Sequence, residues 1–358
     1  MHTIDISNFS LRTDLAIDNI NTKNFDNYNK KIINNNVFVE DININSTKLS
    51  NELGKDKGSY KTITFKDITD HNNFNNVLEI FTNEFKSFLK ENKIDDSYSV
   101  LVIGLGNKKS TPDSLGSKVL SNVLVTRHLF KYGEVESGYR NVSIFEPGVT
   151  GETGIETSDS INSIVKEIKP DFIIVIDALA TNSIDRLNKT IQITNSGIIP
   201  GSGVDNSRVK ISKETINVPT IVIGIPTIID SAVIVSDTIK YLIKKFSYDK
   251  NNINNKIDKF KTKIDYTKND KELDNKDKKE LLGIVGTLSD EELLQLVFEV
   301  LSPIDYDYMV TPKEIDFLID KLSLLISKGL NNSLHQNKII YTKDNIWYIY
   351  NRGSYEKK

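Results

Sequence analysis

The sequence predicts an α/β protein with a doubly wound, mostly parallel sheet and with N- and C-terminal extensions. Four short apolar runs have the continuous, rather than alternating, hydrophobicity of strands that are buried on both faces. They are residues 99–104, 142–145, 171–179 and 219–226. Helical patterns lie between or after them, at about 114–131, 156–168 and 228–246. Strands that alternate with helices in this way form a parallel sheet covered on both faces, with sites at the carboxyl ends of the strands.

The segments before and after this core differ in composition. Residues 1–58 are polar and rich in Asn, and their weak periodicity predicts little regular structure. Residues 61–66 alternate in polarity as a strand does, and the apolar positions of 74–91 recur at helical spacing. Residues 248–280 are rich in Lys, Asp and Asn, which predicts a solvated insertion or linker.

Two helices with clear start signals follow this charged stretch. Ser289 and Glu292 have the spacing of a capping box, and Thr311 followed by Pro312 fits an N-cap and the first helical position. The tail at 337–358 is aromatic and basic, so a strand pair and a docking arm are both open readings.

Composition excludes several classes of function. The chain has 358 residues, a formal net charge of −3 and no cysteine. The charge gives no broad electrostatic basis for binding nucleic acid. The lack of cysteine removes disulfides, thiolate nucleophiles and Cys-based metal sites. The sequence shows no apolar N-terminal segment and no run of about eighteen apolar residues. We therefore expect a protein of cytoplasmic type that acts without direct contact with nucleic acid or membrane.

The first predicted strand ends in a glycine turn. Gly104, Gly106 and Asn107 are followed by a basic pair that includes Lys109. A dinucleotide fingerprint needs a third glycine where Lys109 stands, and the glycine spacing is wrong for a Walker A loop. A tight strand-to-helix turn is the favoured interpretation, and a nucleotide-binding α/β protein is kept as an alternative.

The patterns of serine and metallo-hydrolases are absent from the sequence. No GxSxG or HExxH occurs, and Ser202 lies between Gly201 and Gly203 in a different pattern. Of the four histidines, only His128 falls in the sheet region, where a structural role is the favoured interpretation.

Two aspartates are candidates for chemistry. Asp113 follows the glycine turn at the start of a predicted helix, where an ordinary N-terminal acid would also stand. Asp177 lies near the end of a buried strand, where Asp is rare and costly to bury without partners. Both belong to carboxyl ends of strands, so they converge if those strands are neighbours. Two close carboxylates share a proton or a cation, and the glycine turn is interpreted as presenting a carboxylate to a cleft.

Several long blocks resemble the germination protease of endospore-forming bacteria, in collinear order over most of the chain. They are residues 12–16, 104–129, 146–161, 177–204, 224–238 and 308–335. The stretch at 248–280 and the tail after residue 336 are not matched. The resemblance implies an endopeptidase that initiates the degradation of small acid-soluble spore proteins during germination. It also implies a self-processing zymogen, a homotetramer, a location in the forespore or spore core, and a core similar to that of hydrogenase maturation proteases.

The same resemblance assigns the catalytic pair. The Asp of the family's TPD motif is Asp113 here, and the Asp of its DALA motif is Asp177. An aspartic-type mechanism is favoured, with no cofactor. A metal-dependent peptidase using the same carboxylates stays open, although Ile199 precedes the PGSG segment where the family often has a histidine. A binding or scaffold protein that lost activity is a further alternative, against which the two intact motifs argue.

The remaining site predictions concern substrate contact. Gly104, Gly106 and Asn107 are expected to shape the turn that presents the first aspartate. The segment Gly201, Ser202, Gly203 is expected to let backbone approach a peptide substrate. Arg127 and Arg186 are candidates for recognising acidic side chains, with surface ion pairs as the alternative for each.

The N-terminal block sets the predicted domain boundaries. Arg12, Thr13, Asp14, Leu15 and Ala16 are expected to form an exposed segment that holds the propeptide cleavage site. The predicted divisions are a processing region at 1–18, a protease domain at 19–336 and a C-terminal tail at 337–358.

Overall fold

The computed structural model describes residues 13–19, 27–34, 36–133, 135–201, 209–252, 266, 271–304 and 308–336. Arg12, Ser202, Gly203 and the tail at 337–358 lie outside the described residues. The strands are β1 (Tyr28–Asn34), β2 (Val37–Ile44), β3 (Gly58–Phe65), β4 (Val100–Gly104), β5 (Val142–Phe145), β6 (Phe172–Thr181), β7 (Thr190–Thr194), β8 (Thr220–Asp230) and β9 (Met309–Val310). The helices are α1 (Thr47–Leu53), α2 (His71–Glu91), α3 (Leu115–Leu120), α4 (Arg127–Tyr132), α5 (Thr150–Thr153), α6 (Thr157–Ile168), α7 (Lys213–Ile216), α8 (Ser231–Asn252), α9 (Asn275–Leu282), α10 (Asp290–Leu301) and α11 (Ile315–Leu334).

The strands form one mixed sheet. Its order is β1-β2-β3-β7-β8-β6-β4-β5, with β9 paired to β8. Strand β4 runs parallel to both β5 and β6. The pairs β1–β2, β2–β3, β3–β7, β7–β8 and β8–β9 are antiparallel. The predicted α/β fold is confirmed, and the parallel strands read from the sequence are joined by an antiparallel part that it did not indicate.

Helices cover both faces of the parallel strands, as the doubly wound prediction requires. On one face, buried side chains of α2, α3 and α11, among them Phe85 and Leu325, pack against β4 and β6. On the other face, Ile161 and Val165 of α6 pack against the same strands. All five residues of β4 are buried, which explains why its hydrophobicity is continuous and not alternating.

The prediction of little regular structure over residues 1–58 is wrong, because β1, β2 and α1 lie there. Pairing across the sheet satisfies polar groups that weaken the pattern in the sequence. Glu40 of β2 is buried, yet its Oε1 accepts a hydrogen bond from the Tyr28 hydroxyl at 2.6 Å and lies 3.5 Å from Lys30 Nζ. The partners come from β1, so the strand is stabilised by contacts that no short window reveals.

The helix predicted over 114–131 is interrupted. A 3-10 turn at Thr111–Asp113 precedes α3, and the chain leaves helical structure before α4. Asn331 of α11 stabilises the connecting loop, because its Oδ1 accepts from the Leu124 N–H at 2.9 Å and its Nδ2 donates to the Asn122 carbonyl at 2.9 Å. A buried amide from a distant helix therefore competes successfully with local helix propensity.

The start signals of the two late helices have different outcomes. The capping box of α10 is confirmed, since Ser289 and Glu292 exchange hydrogen bonds at 3.2 and 2.8 Å. The start predicted at Thr311 is wrong by a few residues: α11 begins at Ile315. The Ile315 N–H donates to the Pro312 carbonyl at 3.1 Å, so a separate turn precedes the helix.

The described residues divide into two compact units. The larger contains residues within 14–179, 188–227 and 312–336. The smaller contains Thr13 and residues within 180–187 and 228–311. The ends of the charged stretch at 248–280 are helical, since α8 continues to Asn252 and α9 begins at Asn275. The predicted domain boundaries stay a prediction. Among the helices in the described ranges, none has both the length and the apolar character needed to cross a membrane.

Candidate active site

The loop after β4 is built on backbone contacts that leave no room for a side chain. Gly106 has φ of +100°, and a Cβ there would lie 2.0 Å from the Asp113 carbonyl oxygen. A Cβ on Gly104 would lie 2.6 Å from the Gly116 carbonyl group, and one on Gly116 would lie 2.3 Å from the Leu105 carbonyl oxygen. Real Cβ atoms essentially never come closer than 3.0 Å. Gly116, which the sequence reading did not single out, is therefore part of the same turn.

The turn holds the carboxylate of Asp113 in place. The Asn107 N–H donates to Asp113 Oδ2 at 2.7 Å, and the Asp113 N–H donates to the Ser110 carbonyl at 2.9 Å. Asn107 also accepts the Lys109 N–H on its own Oδ1 at 2.8 Å. The N-cap of α3 is Ser114, so the Asp113 carboxylate is directed back to the loop after β4 instead of capping that helix. An N–H donor at this distance stabilises negative charge on the carboxylate.

Asp177 lies on the strand next to this loop. It is buried in β6, with a relative exposure of 6%, and its Oδ1 accepts the Ala178 N–H at 2.9 Å. Gly104 of β4 pairs with Ile176, and the Leu105 N–H donates to the Ile176 carbonyl at 2.8 Å. The next residue on β6 is Asp177, so it lies at the point where the glycine turn leaves β4. The structure therefore places Asp177 inside β6, four residues before the end of the strand, beside the point where the loop that carries Asp113 leaves β4.

The N-terminal segment does not have the exposure expected of it. Leu15, Ala16 and Ile17 are buried, at 0%, 0% and 2% relative exposure, and a short 3-10 helix covers Ala16–Asn19. The expectation of an exposed segment is wrong for these residues. Their side chains join an apolar cluster that includes Leu179 of β6, because burying aliphatic side chains removes their apolar surface from water.

Gln192 of β7 binds the backbone of this segment. The Ala16 N–H donates to Gln192 Oε1 at 2.8 Å, and Gln192 Nε2 donates to the Asp14 carbonyl at 3.2 Å. Gln192 is itself buried, with 5% relative exposure. The sequence analysis missed this residue, although a Gln in the middle of the apolar run TIQIT is the kind of buried polar group that needs a partner.

A basic residue, Lys55, interacts with the same segment. Lys55 is half-buried and interacts electrostatically with Asp14, Asp18 and Asp56. Burial lowers the pKa of Lys55 below its ordinary value, and the three carboxylates act in the opposite direction. The adjacent Tyr60 hydroxyl donates to the Asp56 carbonyl at 2.7 Å, and burial raises its pKa to about 12. Lys55, like Gln192, was not among the predicted site residues.

The other predicted substrate contacts lie on separate elements. Arg127 is the first residue of α4 and is half-exposed. Arg186 belongs to the smaller unit, where its N–H donates to the Ser183 carbonyl at 3.1 Å. Gly201 has φ of +70° and is the last described residue before 202–208. The roles predicted for Arg127, Arg186 and Gly201 stay predictions, as do those of Ser202 and Gly203 outside the described residues.

The residues that the structure describes do not form a three-ligand metal site. Ile199, at the position where a histidine was considered, is 40% exposed and offers no donor atom. His128 is exposed on α4. Within the described ranges no three His, Cys, Asp or Glu side chains gather closely enough to hold a metal ion. Lys109 of the glycine turn forms an ion pair with Glu152 at 3.0 Å, so its charge is directed to a carboxylate.

Comparison with solved structures finds a NiFe hydrogenase maturation protease, HycI, from Thermococcus kodakarensis. The match has a TM-score of 0.24 and 18% identity, and it covers 36% of this chain and 74% of that one. Similarity at this level carries no argument about the site.

The similarity in sequence to other proteins is much higher than this structural similarity. A germination protease of Bacillus velezensis is 41% identical over 353 residues, covering 93% of this chain and 95% of that protein. Germination proteases of a Geobacillus species and of Bacillus subtilis are 42% and 40% identical, each covering 93% of this chain and at least 95% of the relative. The sequence model of the family, peptidase family A25, matches residues 12–347. The chain therefore belongs to the germination protease family and is a peptidase that acts in spore germination.

Proposed function

We propose that this chain is an endopeptidase that initiates the degradation of small acid-soluble spore proteins, with Asp113 and Asp177 as its paired catalytic carboxylates. One observation carries the proposal. Asp177 follows the β6 residue that pairs with Gly104, and the glycine turn that carries Asp113 leaves β4 at this point, in a chain that matches a peptidase family over residues 12–347. Parallel α/β sheets bind their ligands where strands such as β4 end and their loops begin.

The surroundings of the two carboxylates suit different protonation roles. In the proposed mechanism Asp113, which is half-buried and accepts a backbone N–H from Asn107, is assigned the role of the ionised base that removes a proton from the attacking water. The more deeply buried Asp177 is assigned the role of the protonated acid. The water oxygen bonds to the peptide carbon, the proton of Asp177 goes to the leaving nitrogen as the C–N bond breaks, and proton exchange between the carboxyls restores the pair.

The N-terminal segment supports synthesis as a zymogen. Leu15 and Ala16 pack in one cluster with Leu179, which is two residues beyond Asp177 on β6. This packing supports the proposal that the chain cleaves its own N-terminal segment, with acidification as the trigger because it changes the shared protonation of the pair. The homotetramer, the forespore or spore-core location and the absence of a cofactor belong to the same proposal and rest on family membership.

The test compares isosteric variants of the full-length chain. Asp113→Asn and Asp177→Asn are expected to lower both self-cleavage after acidification and cleavage of a purified small acid-soluble spore protein by at least about a thousandfold, because each removes one proton-transfer group. The matched control is Asp159→Asn, an exposed aspartate in the first turn of α6. Thermal unfolding confirms that each variant is folded, and products are read by mass.

A strong chelator separates the aspartic-type reading from the metal-dependent one. Cleavage that survives the chelator supports direct use of the carboxylate pair. Cleavage that is lost and then restored by an added divalent metal reassigns the same carboxylates as ligands. If either Asp→Asn variant processes itself at the wild-type rate, the site assignment is wrong. If wild-type protein cleaves nothing, a binding role replaces the enzymatic one.

A further inference from the structure

Helix α6 covers the face of the sheet to which the Asp177 side chain belongs. Its Ile161 and Val165 pack in one cluster with alternate residues of β4 and β6, among them Ile173 and Val175. The next residue of this alternation on β6 is Asp177. Strands β5 and β6 both run parallel to β4, so α6, which connects them, runs back against the direction of the strands.

The first turn of α6 lies at the level of Asp177. Two residues along a strand span roughly 6.6 Å, and four residues along a helix span about 6 Å. One strand step therefore matches the step from Val165 to Ile161, and the next matches the step from Ile161 to Thr157 and Ser158. Both of these residues are buried, at 4% and 1% relative exposure, on the side of the helix that faces the sheet.

This turn has hydrogen-bond donors without acceptors. The first N–H groups of a helix have no partner within it, and Glu156 at the N-cap makes no side-chain cap. Among the described residues, no acceptor is bonded to the N–H of Thr157 or of Ser158. The Ser158 hydroxyl is also buried without a partner, which costs free energy. A ligand that accepts from this hydroxyl would explain why it is there.

The charges around the turn favour a neutral acceptor over an anion. Glu156 precedes α6 and Asp159 lies in its first turn, and Glu156 Oε2 accepts the Thr150 hydroxyl at 3.3 Å. A phosphate or a free carboxylate would meet like charges here. The carbonyl oxygen of a peptide is uncharged when it binds, and the positive end of the helix dipole then stabilises charge that develops on it.

The proposed reaction needs such a donor. Asp113 takes a proton from the attacking water and Asp177 gives a proton to the leaving nitrogen, so neither is assigned to the carbonyl oxygen. As water attacks, the C=O electron pair moves onto this oxygen, and it returns to form the carboxyl group when the C–N bond breaks. Donors held in place and shielded from water stabilise the oxygen during this interval.

We propose that the first turn of α6 binds the carbonyl oxygen of the scissile peptide, through the Ser158 hydroxyl and the N–H groups of Thr157 and Ser158, and stabilises the negative charge that forms on it. The buried, unpartnered Ser158 hydroxyl at the level of Asp177 is the observation that supports the choice. The inference rests on the proposed endopeptidase function and adds Ser158 as a catalytic residue.

Removal of the hydroxyl in the full-length chain is the first test. Ser158→Ala is expected to lower kcat for cleavage of a purified small acid-soluble spore protein by about a hundredfold. KM is expected to stay within about threefold of wild type, because the bond strengthens only in the transition state. The matched control is Ser163→Ala, an exposed residue of the same helix whose hydroxyl donates to the Asp159 carbonyl at 2.9 Å.

Stability separates a catalytic role from a structural one. Because a buried hydroxyl without a partner costs free energy, Ser158→Ala is expected to leave the urea midpoint of unfolding unchanged or to raise it. A serine that served only to hold the fold together would show a lower midpoint when it is replaced.

A proline tests the backbone donor. Thr157 is the first residue of α6, where proline fits the helix but has no N–H. Thr157→Val keeps the N–H and, like the proline variant, lacks the hydroxyl, so the comparison of the two variants isolates the N–H. The kcat of Thr157→Pro is expected to be at least about tenfold below that of Thr157→Val, with the same urea midpoint.

The outcomes distinguish the two proposals. If wild-type protein cleaves no small acid-soluble spore protein, the proposed endopeptidase function fails. If wild-type protein cleaves, the function stands, and the role of the first turn of α6 depends on the variants. It is overturned if Ser158→Ala keeps a kcat within about threefold of Ser163→Ala, if its kcat falls together with the urea midpoint, or if the two Thr157 variants have equal kcat.

Discussion

Replacing Gly106 by alanine is expected to abolish most activity without unfolding the chain. The backbone there has φ of +100°, and an added Cβ would lie 2.0 Å from the Asp113 carbonyl oxygen and 2.8 Å from its Oδ1. Ordinary van der Waals contact begins at 3.4 Å, so the Asp113 turn must retreat by about 1.4 Å. Misplacing a catalytic group by about 1 Å costs about a hundredfold in rate. We therefore expect kcat/KM to fall by about a hundredfold or more.

The matched control is Gly133→Ala. Gly133 also has a positive φ, +73°, but apart from its chain neighbours no atom of the described residues lies within 4 Å of its would-be Cβ. Both variants carry the backbone penalty of about 1–2 kcal/mol for a left-handed residue, and only Gly106→Ala adds the collision with Asp113. The free energy of unfolding, from urea titration, measures the shared penalty. The rate of cleavage of a small acid-soluble spore protein, read by mass, measures the displacement of the carboxylate.

The reasoning would be refuted by Gly106→Ala protein that is folded and cleaves at a rate within threefold of Gly133→Ala. That result would mean that the turn relaxes without moving the carboxylate, or that the carboxylate of Asp113 does not take part in the reaction.

Three further predictions concern stability, each read as the free energy of unfolding from denaturant titration. Burial lowers the pKa of His335 from 6.5 to about 4, so the folded chain is stabilised above pH 6.5 and loses this stability as the pH falls toward 4. The wild-type free energy of unfolding is expected to fall over this range by about 3 kcal/mol more than that of His335→Gln. An equal pH dependence of the two proteins would contradict this. Gly329→Ala places a Cβ 2.2 Å from Phe81 Cδ1 between α11 and α2 and is expected to cost about 1–3 kcal/mol, whereas Gly151→Ala, with open space around it, has little effect. Lys61→Met breaks the ion pair of 2.8 Å between Glu84 and the Lys61 side chain, which is only 8% exposed. It is expected to lower the free energy of unfolding by about 3 kcal/mol. An unchanged free energy of unfolding would show that water replaces the lysine.

The catalytic candidates were predictable because their signals are local. A carboxylate in the middle of a buried strand, as at Asp177, stands out against the surrounding apolar residues. The glycines before Asp113, Gly104 and Gly106, also indicate a tight turn, because there is no room for a side chain at either position. The sequence analysis assumed that β4 and β6 are neighbours. The pairing of Gly104 with Ile176 shows that they are.

The residues that contact the N-terminal segment were not predictable in the same way. Arg127 and Arg186 were predicted to recognise acidic side chains, whereas Lys55, which interacts with Asp14, was not predicted. Gln192 is 176 positions away from Ala16 along the chain. The apolar run TIQIT indicates that Gln192 needs a partner, but nothing in the sequence indicates which residue provides it. The antiparallel strands β1 and β2 were missed because their polar residues find partners only across the sheet.

By itself the sequence determined the family, the buried parallel strands, the glycine turn and the two carboxylates, because each depends on a short pattern that limits backbone conformation or burial. Only the tertiary structure decided that Leu15 and Ala16 are buried, that Gln192 accepts a hydrogen bond from the Ala16 N–H, and that Lys55 interacts electrostatically with Asp14. These contacts join segments that are distant along the chain. Their energies depend on desolvation and geometry at the place where strands and loops meet, and a linear pattern contains neither.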